Sequence, residues 1–169
     1  AVGEEYAPAV EAVVGSLEGP EVAAGLSALQ RIHADYHLGQ VLASEDSEGQ
    51  TRWTVLDFEG EPLRPVAERR APDLPLRDVA GMLRSFDYAA AVGKAPHPDW
   101  LPAVRSAFEE GYRLGRQETG SLAPSPAASG DQEQAEASYQ TVLTCLELDK
   151  ALYEAVYEAR NRPDSLGIP

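Results

Sequence analysis

Two β-rich runs, "QVLAS" (residues 40–44) and "TRWTVLDF" (residues 51–58), stand apart in a chain whose other apolar residues mostly recur at helical spacing. The polar stretch "EDSEGQ" between them carries Gly49 and reads as a turn, so the two runs form an antiparallel hairpin. Around it, Tyr6, Val10, Val13, Val14 and Leu17 mark a first helix, and "EGP" at 18–20 breaks it before a second short helix over 21–30. Val79, Met82, Leu83 and Phe86 share one face of a helix over 76–92, and Trp100, Val104, Phe108 and Tyr112 share one over 98–117. A long helix over about 133–160 ends before Pro163. The expected fold class is mainly α (α+β): helices interrupted early by one small antiparallel β-hairpin.

Two segments resist this pattern. Residues 59–75, "EGEPLRPVAERRAPDLP", hold four prolines and no apolar period, which predicts an irregular, charged connector. Residues 118–132, "ETGSLAPSPAASGDQ", are small, polar and Pro/Gly/Ser-rich, which predicts a flexible linker within a single domain spanning 1–169.

At 169 residues the chain suits one domain. Its formal net charge of −14 repels nucleic acid and anionic lipid, so neither nucleic acid nor membrane is an expected partner. Cys145 is the lone cysteine, which excludes an intrachain disulfide and fits a reducing, cytoplasmic setting. No apolar run approaches the length of a membrane span. The chain opens on Ala1 inside a helix-like segment, as a piece of a longer protein would.

The chemistry concentrates in "RIHADYHLGQVL", residues 31–42. On a strand, His33, Asp35 and His37 would face one way as three metal ligands, but a hydrolytic site draws on further histidines, and His97 in a "PHP" loop is the only other one. An ordinary polar loop with capping histidines is the bland reading. A phosphoryl-transfer loop also accounts for spacing outside the motif: in H-R-D-x-x-x-x-N an Asp orients the attacking hydroxyl and an amide five residues on holds magnesium. Asp35 and Gln40 stand five apart with His33 two before the acid, and Asp57, at the end of the next strand, supplies a second acid for Mg²⁺. A metal held by Gln40, Asp57 and Glu59 would turn an acidic pocket attractive to phosphate. Arg69, Arg70 and Arg77 form a local basic cluster that either touches phosphate or pairs with Asp73 and Asp78 to shape the loop.

The segments "HADYHLGQVL", "WTVLDFEGEPLRPVAERRAPDLPLRDVAGMLRSFDYAA" and "ALYEAVYEARNRP" together resemble the C-terminal lobe of bacterial maltokinases, on the aminoglycoside-phosphotransferase-like branch of the kinase fold. The resemblance implies an ATP:maltose 1-phosphotransferase, giving maltose 1-phosphate on a route from trehalose-derived maltose to glycogen-like α-glucan. Its cofactors would be ATP and Mg²⁺, and its partner sugar maltose; association with or fusion to a trehalose synthase stays open. By the same resemblance Asp35 is the catalytic aspartate and touches the sugar, and Gln40 and Asp57 are magnesium ligands. Glu59 is a weaker candidate beside the nucleotide, His33 stabilises the loop and helps hold the sugar, and Tyr153 and Tyr157 bind it from the last helix. Residues four apart share a helix face, and sugars stack on tyrosine rings, although both tyrosines would serve equally as core. Ala34 departs from the glycine common at its position. Nothing in the sequence resembles an N-terminal kinase lobe, so the chain alone is expected to be inactive. The alternatives are a related kinase for an aminoglycoside or amino alcohol acceptor, and a non-catalytic sugar- or partner-binding module.

Overall fold

The computed structural model describes residues 2–15, 22, 28–61, 64–93, 97–119 and 132–169. Its elements are α1 (Val2–Gly15), a 3₁₀ turn (Leu38–Gln40), strands β1 (Val41–Glu45) and β2 (Thr51–Val55), then the helices α2 (Val66–Arg70), α3 (Leu76–Gly93), α4 (Trp100–Thr119) and α5 (Gln132–Asn161). A 3₁₀ turn at Pro163–Ser165 closes the chain, proline starting the turn where a longer helix cannot continue.

α3 is the organising helix. Leu76, Val79, Ala80, Met82, Leu83 and Phe86 are buried against Val142, Leu143 and Leu146 of α5, and Leu101, Val104 and Phe108 of α4 pack beside them. Each buried Leu, Val, Met or Phe side chain of this cluster contributes about 1.5–3 kcal/mol. Phe86 meets Phe108 edge-on at 5.7 Å. Charges cross the same interfaces: Arg84, itself buried, binds Asp87 and Glu154, while Arg105 of α4 reaches Asp87 and Glu147. These pairs fix the rotation of α4 and α5 about α3.

The hairpin matches the sequence expectation, with Val41 opposite Val55 and Glu45 opposite Thr51. Asp46 accepts from the amides of Glu48 and Gln50, which closes the turn and holds its carboxyl below the usual range. Three expectations need adjustment. β2 ends at Val55, so Asp57 lies just beyond the strand rather than in it, with φ +57. The connector is not wholly irregular: once Pro65 has set an extended entry, Val66–Arg70 form a short helix. The second predicted helix lies largely outside the described residues, and its last member, Gln30, is extended and bridges Asp73 through mutual backbone hydrogen bonds. Residues 118 and 119 of the predicted linker end α4 and residue 132 starts α5; 120–131 lie outside the described residues.

Candidate functional site

The loop from Arg31 to Gln40 runs across α3, and one glycine permits it. A Cβ on Gly81 would meet the Tyr36 carbonyl oxygen at 2.7 Å, so only glycine lets the loop lie this close. Asp78, one turn earlier on α3, then receives the loop's amides: His33 N–H donates to one carboxylate oxygen at 2.7 Å and Ala34 N–H to the other at 2.9 Å. Burial pushes the Asp78 carboxyl up, and these two amides pull against it. Leu38 N–H donates to Ser85 Oγ at 3.2 Å, a second anchor on the same helix. Ala34 sits at φ +66, where a side chain is strained and a glycine would be relaxed.

His33 is the strut of the site. Its ring is buried, Nε2 donates to the Leu56 carbonyl at 2.5 Å, and Nδ1 accepts from Asp35 N–H at 3.3 Å. Phe58 packs on the ring at 4.8 Å. The loop that carries Asp35 is thereby tied to the segment that carries Asp57. Both ring nitrogens of His33 are thus engaged inside the chain. His37 is engaged as well: Nδ1 accepts from Gly39 N–H at 3.0 Å and caps the 3₁₀ turn. His37 keeps Nε2, 3.9 Å from Asp35 Oδ2, but His33 has both ring nitrogens engaged, and no His–Asp–His ligand set forms among the described residues.

Two flanks of the loop remain. On the first, Gln40 Nε2 lies 3.3 Å from Asp57 Oδ2, and Leu56 N–H donates to the Gln40 carbonyl. The pair offers hard oxygen donors at the surface, which suits a Mg²⁺ ion that keeps its waters and takes phosphate oxygens. Among the described residues no three His, Cys, Asp or Glu side chains converge into a full metal cage. Glu59 contributes its carbonyl, which accepts from Arg69 Nη1 at 3.0 Å, while the residue itself is exposed.

On the second flank Asp35 faces a cleft of about 230 Å³ shared with Glu61, Arg64, Arg69, Arg77 and Lys150. Lys150 Nζ is 3.6 Å from Asp35 Oδ1 and in close contact with Glu61 Oε1. Arg64 Nε donates to the other Glu61 oxygen at 2.8 Å, a bond that raises the guanidinium's pKa. The Tyr153 ring lies beneath both cations, 5.2 Å from Lys150 Nζ and 5.9 Å from Arg64, and burial pushes its phenol up. Tyr157, one turn on, is stacked by Arg162 at 5.5 Å, so neither tyrosine belongs to the core. Of the arginine cluster, Arg77 is paired with Asp73 at 2.8 Å and Asp149 at 2.6 Å, a bracing role. At the end of α5 Asn161 Nδ2 donates to the Tyr157 carbonyl at 2.9 Å.

Sequence reasoning missed Lys150, Glu61 and Arg64. Lys150 did carry a signal: with Lys94 it is one of two lysines in the chain, set three residues before Tyr153 on the same helix face.

A mainly helical chain with one antiparallel hairpin flanked by this loop is compatible with a kinase-like fold, and comparison with known proteins makes it a relative of sugar kinases. No family model matches the chain. It is 32% identical over 176 aligned positions to a glucosamine kinase of Mycolicibacterium smegmatis (strain ATCC 700084 / mc(2)155), covering 95% of this chain and 36% of the relative. It is 32% identical over 90 residues to a glucosamine kinase of Streptacidiphilus jiangxiensis, covering 48% and 19%. Among solved structures, a glucosamine kinase in complex with glucosamine, ADP and inorganic phosphate superimposes with a TM-score of 0.70 at 25% identity, over 98% of this chain and 36% of that one. Another crystal form of a glucosamine kinase matches equally, over 37% of its length. The chain thus spans about a fifth to about a third of the relatives it matches.

These findings overturn the maltokinase expectation. The matched proteins are glucosamine kinases, so the maltose 1-phosphotransferase activity, maltose as partner and the glycogen and trehalose connections are withdrawn. The physical reason is that an acid with an amide five residues on and a second acid after a strand are residue types that kinases for many acceptors share, so the pattern specifies no acceptor. No helix among the described residues is long and apolar enough to cross a membrane.

Proposed function

We propose that this chain forms the acceptor-binding, C-terminal lobe of an ATP-dependent sugar kinase, and that the nucleotide is clamped by an N-terminal lobe outside it. One observation carries the reading: a single loop presents Asp35 to a charged cleft on one flank and Gln40 beside Asp57 on the other, with His33 locking the two flanks together. In-line phosphoryl transfer needs this arrangement, because its catalysis is mostly positioning and charge neutralisation.

In the proposed reaction a sugar hydroxyl attacks the γ-phosphorus of ATP, the bond to the β-phosphate oxygen breaks, and ADP and a sugar phosphate leave. Asp35 orients the hydroxyl and takes its proton. Gln40 and Asp57 would hold Mg²⁺, which would supply charge neutralisation at the phosphates. Tyr153 and Tyr157 border the acceptor. ATP and the acceptor class come from the relatives, whose names and ADP complex specify a nucleotide-dependent sugar kinase. A cytoplasmic setting, where ATP is held, goes with this reading.

The test is ADP release by the full-length protein with glucosamine, glucose and a panel of amino alcohols and aminoglycosides. Sugar-dependent turnover that disappears in Asp35→Asn supports the assignment; turnover with the amino alcohols alone shifts the acceptor class. Silence with every acceptor, despite a folded protein, returns the lobe to a binding module.

A further inference from the structure

The corner of the cleft beside Asp35 has the composition of a cation site, and it is already filled. Two carboxylates, Asp35 from the loop and Glu61 from the connector, converge with the Tyr153 ring on one point, and the Lys150 ammonium occupies that point. Opposed carboxylates with an aromatic face are how a protein holds an ammonium group. Here the ammonium belongs to the chain itself.

We propose that Lys150 is a specificity-determining residue that stands where an acceptor's ammonium would otherwise sit, so that the acceptor meets this corner with a neutral hydroxyl. The inference rests on the sugar-kinase reading above and names the acceptor's substituent at that site. It follows from the charges facing the cleft. Arg77 is matched by Asp73 and Asp149, Arg64 by Glu61, and Asp78 by two amides, which leaves Asp35 with Lys150 Nζ at 3.6 Å from one oxygen and the His37 ring, Nε2 at 3.9 Å, beside the other. The acids lining the cleft outnumber its cations, but at the corner itself the Lys150 ammonium already stands between Asp35 and Glu61. A second ammonium entering beside Lys150 would meet a like charge in a partly dry site, where repulsion is little screened. A hydroxyl would instead accept a hydrogen bond from Lys150 and donate one to Asp35.

Glucose and glucosamine differ by one hydroxyl against one ammonium, which makes them the probes. Calorimetric titration of both into the whole chain should show wild type preferring glucose by about tenfold or more. Lys150→Met keeps the aliphatic stem and leaves Glu61 its bond to Arg64, so it should fold; the preference should then collapse or invert as Asp35 becomes free to hold the amine. Lys150→Arg keeps the charge and should keep the preference. An unchanged ratio in Lys150→Met, or a wild type that already prefers glucosamine, overturns the inference and leaves the kinase reading standing. If Lys150→Met fails to fold, the wild-type ratio and the Lys150→Arg ratio decide by the same criteria. Failure of both sugars to bind any variant, with no sugar-dependent ADP release by the full-length protein, overturns the kinase reading and this inference together.

Discussion

The two flanks of the His33–Gln40 loop are built on opposite plans. On the Asp35 flank the charges are half-buried and matched: Glu61 is 6% exposed, Asp35 and Lys150 are 20% exposed, and helix α5 closes the corner. On the Asp57 flank the groups are open. Asp57 is exposed with half-buried Gln40 beside it, and Leu42, Trp53, Leu56 and Phe58 in and after the hairpin stand exposed, Trp53 at 68%. A matched charge network is complete without a visitor, whereas hard oxygen donors and bare apolar side chains at the surface become satisfied only when something binds over them. On the proposed function, the acceptor side is thus preorganised by this chain, and the nucleotide side is completed by metal, ATP and a second lobe.

That contrast can be broken most directly at Asp35. In the full-length protein Asp35→Asn should lower kcat by about 10²–10⁴-fold with the fold unchanged, the range expected when a positioned proton acceptor is lost. A loss smaller than tenfold would mean that the preorganised flank is not where the hydroxyl is activated. Asp57→Asn should act differently, raising the Mg²⁺ required for half-maximal rate by about tenfold or more. If the magnesium dependence stays put while sugar affinity weakens, the two flanks have been assigned the wrong way round.

Asp78 tests whether the loop is held from α3. Asp78→Asn keeps one oxygen for two amides and should cost about 1–3 kcal/mol in denaturant unfolding. The substitution should also alter the pH profile. Burial raises the Asp78 carboxyl, and it raises Glu147 and Glu154 in the helix interfaces as well. The folded chain therefore keeps protons that the unfolded chain has released, so the stabilisation is full below the ordinary carboxylate range and is lost as pH rises through the raised values. Asp78→Asn should remove part of that downward slope; a slope that is unchanged would place it in the glutamates alone. The smallest effect is expected at Ala34, where glycine relieves a left-handed alanine but loosens the unfolded chain. Ala34→Gly should shift stability by about 1 kcal/mol or less, towards the folded state.

Much of the fold was readable from local pattern. The faces of α3 and α4 followed from their apolar spacing, and Val79, Met82, Leu83 and Phe86 are buried as that spacing required. The hairpin followed from its composition and turn. What was not readable fell where backbone geometry outruns pattern: Asp57 beyond its strand, the short helix inside a proline-rich connector, and Gln30 extended against Asp73. Asp57 and Gln30 meet partners far along the chain, Gln40 and Asp73, which no window of neighbouring residues contains, and the short helix is too brief to show an apolar period. The acceptor was unreadable for another reason. Kinase loops share residue types because the transferred group is the same, and the acceptor touches side chains that carry no fixed spacing from the loop.

By itself the sequence determined that a loop with His33, Asp35 and Gln40 precedes a hairpin, that Asp57 follows it, and that apolar helices surround both, because these are matters of order and period. Only the tertiary structure decided that His33 would be spent as a strut, that Gly81 would admit the loop to α3, and that Lys150, 115 residues after Asp35, would close the corner beside it. The reason is range: hydrophobic period acts within one helix, whereas an ion pair forms wherever packing sets two side chains down together.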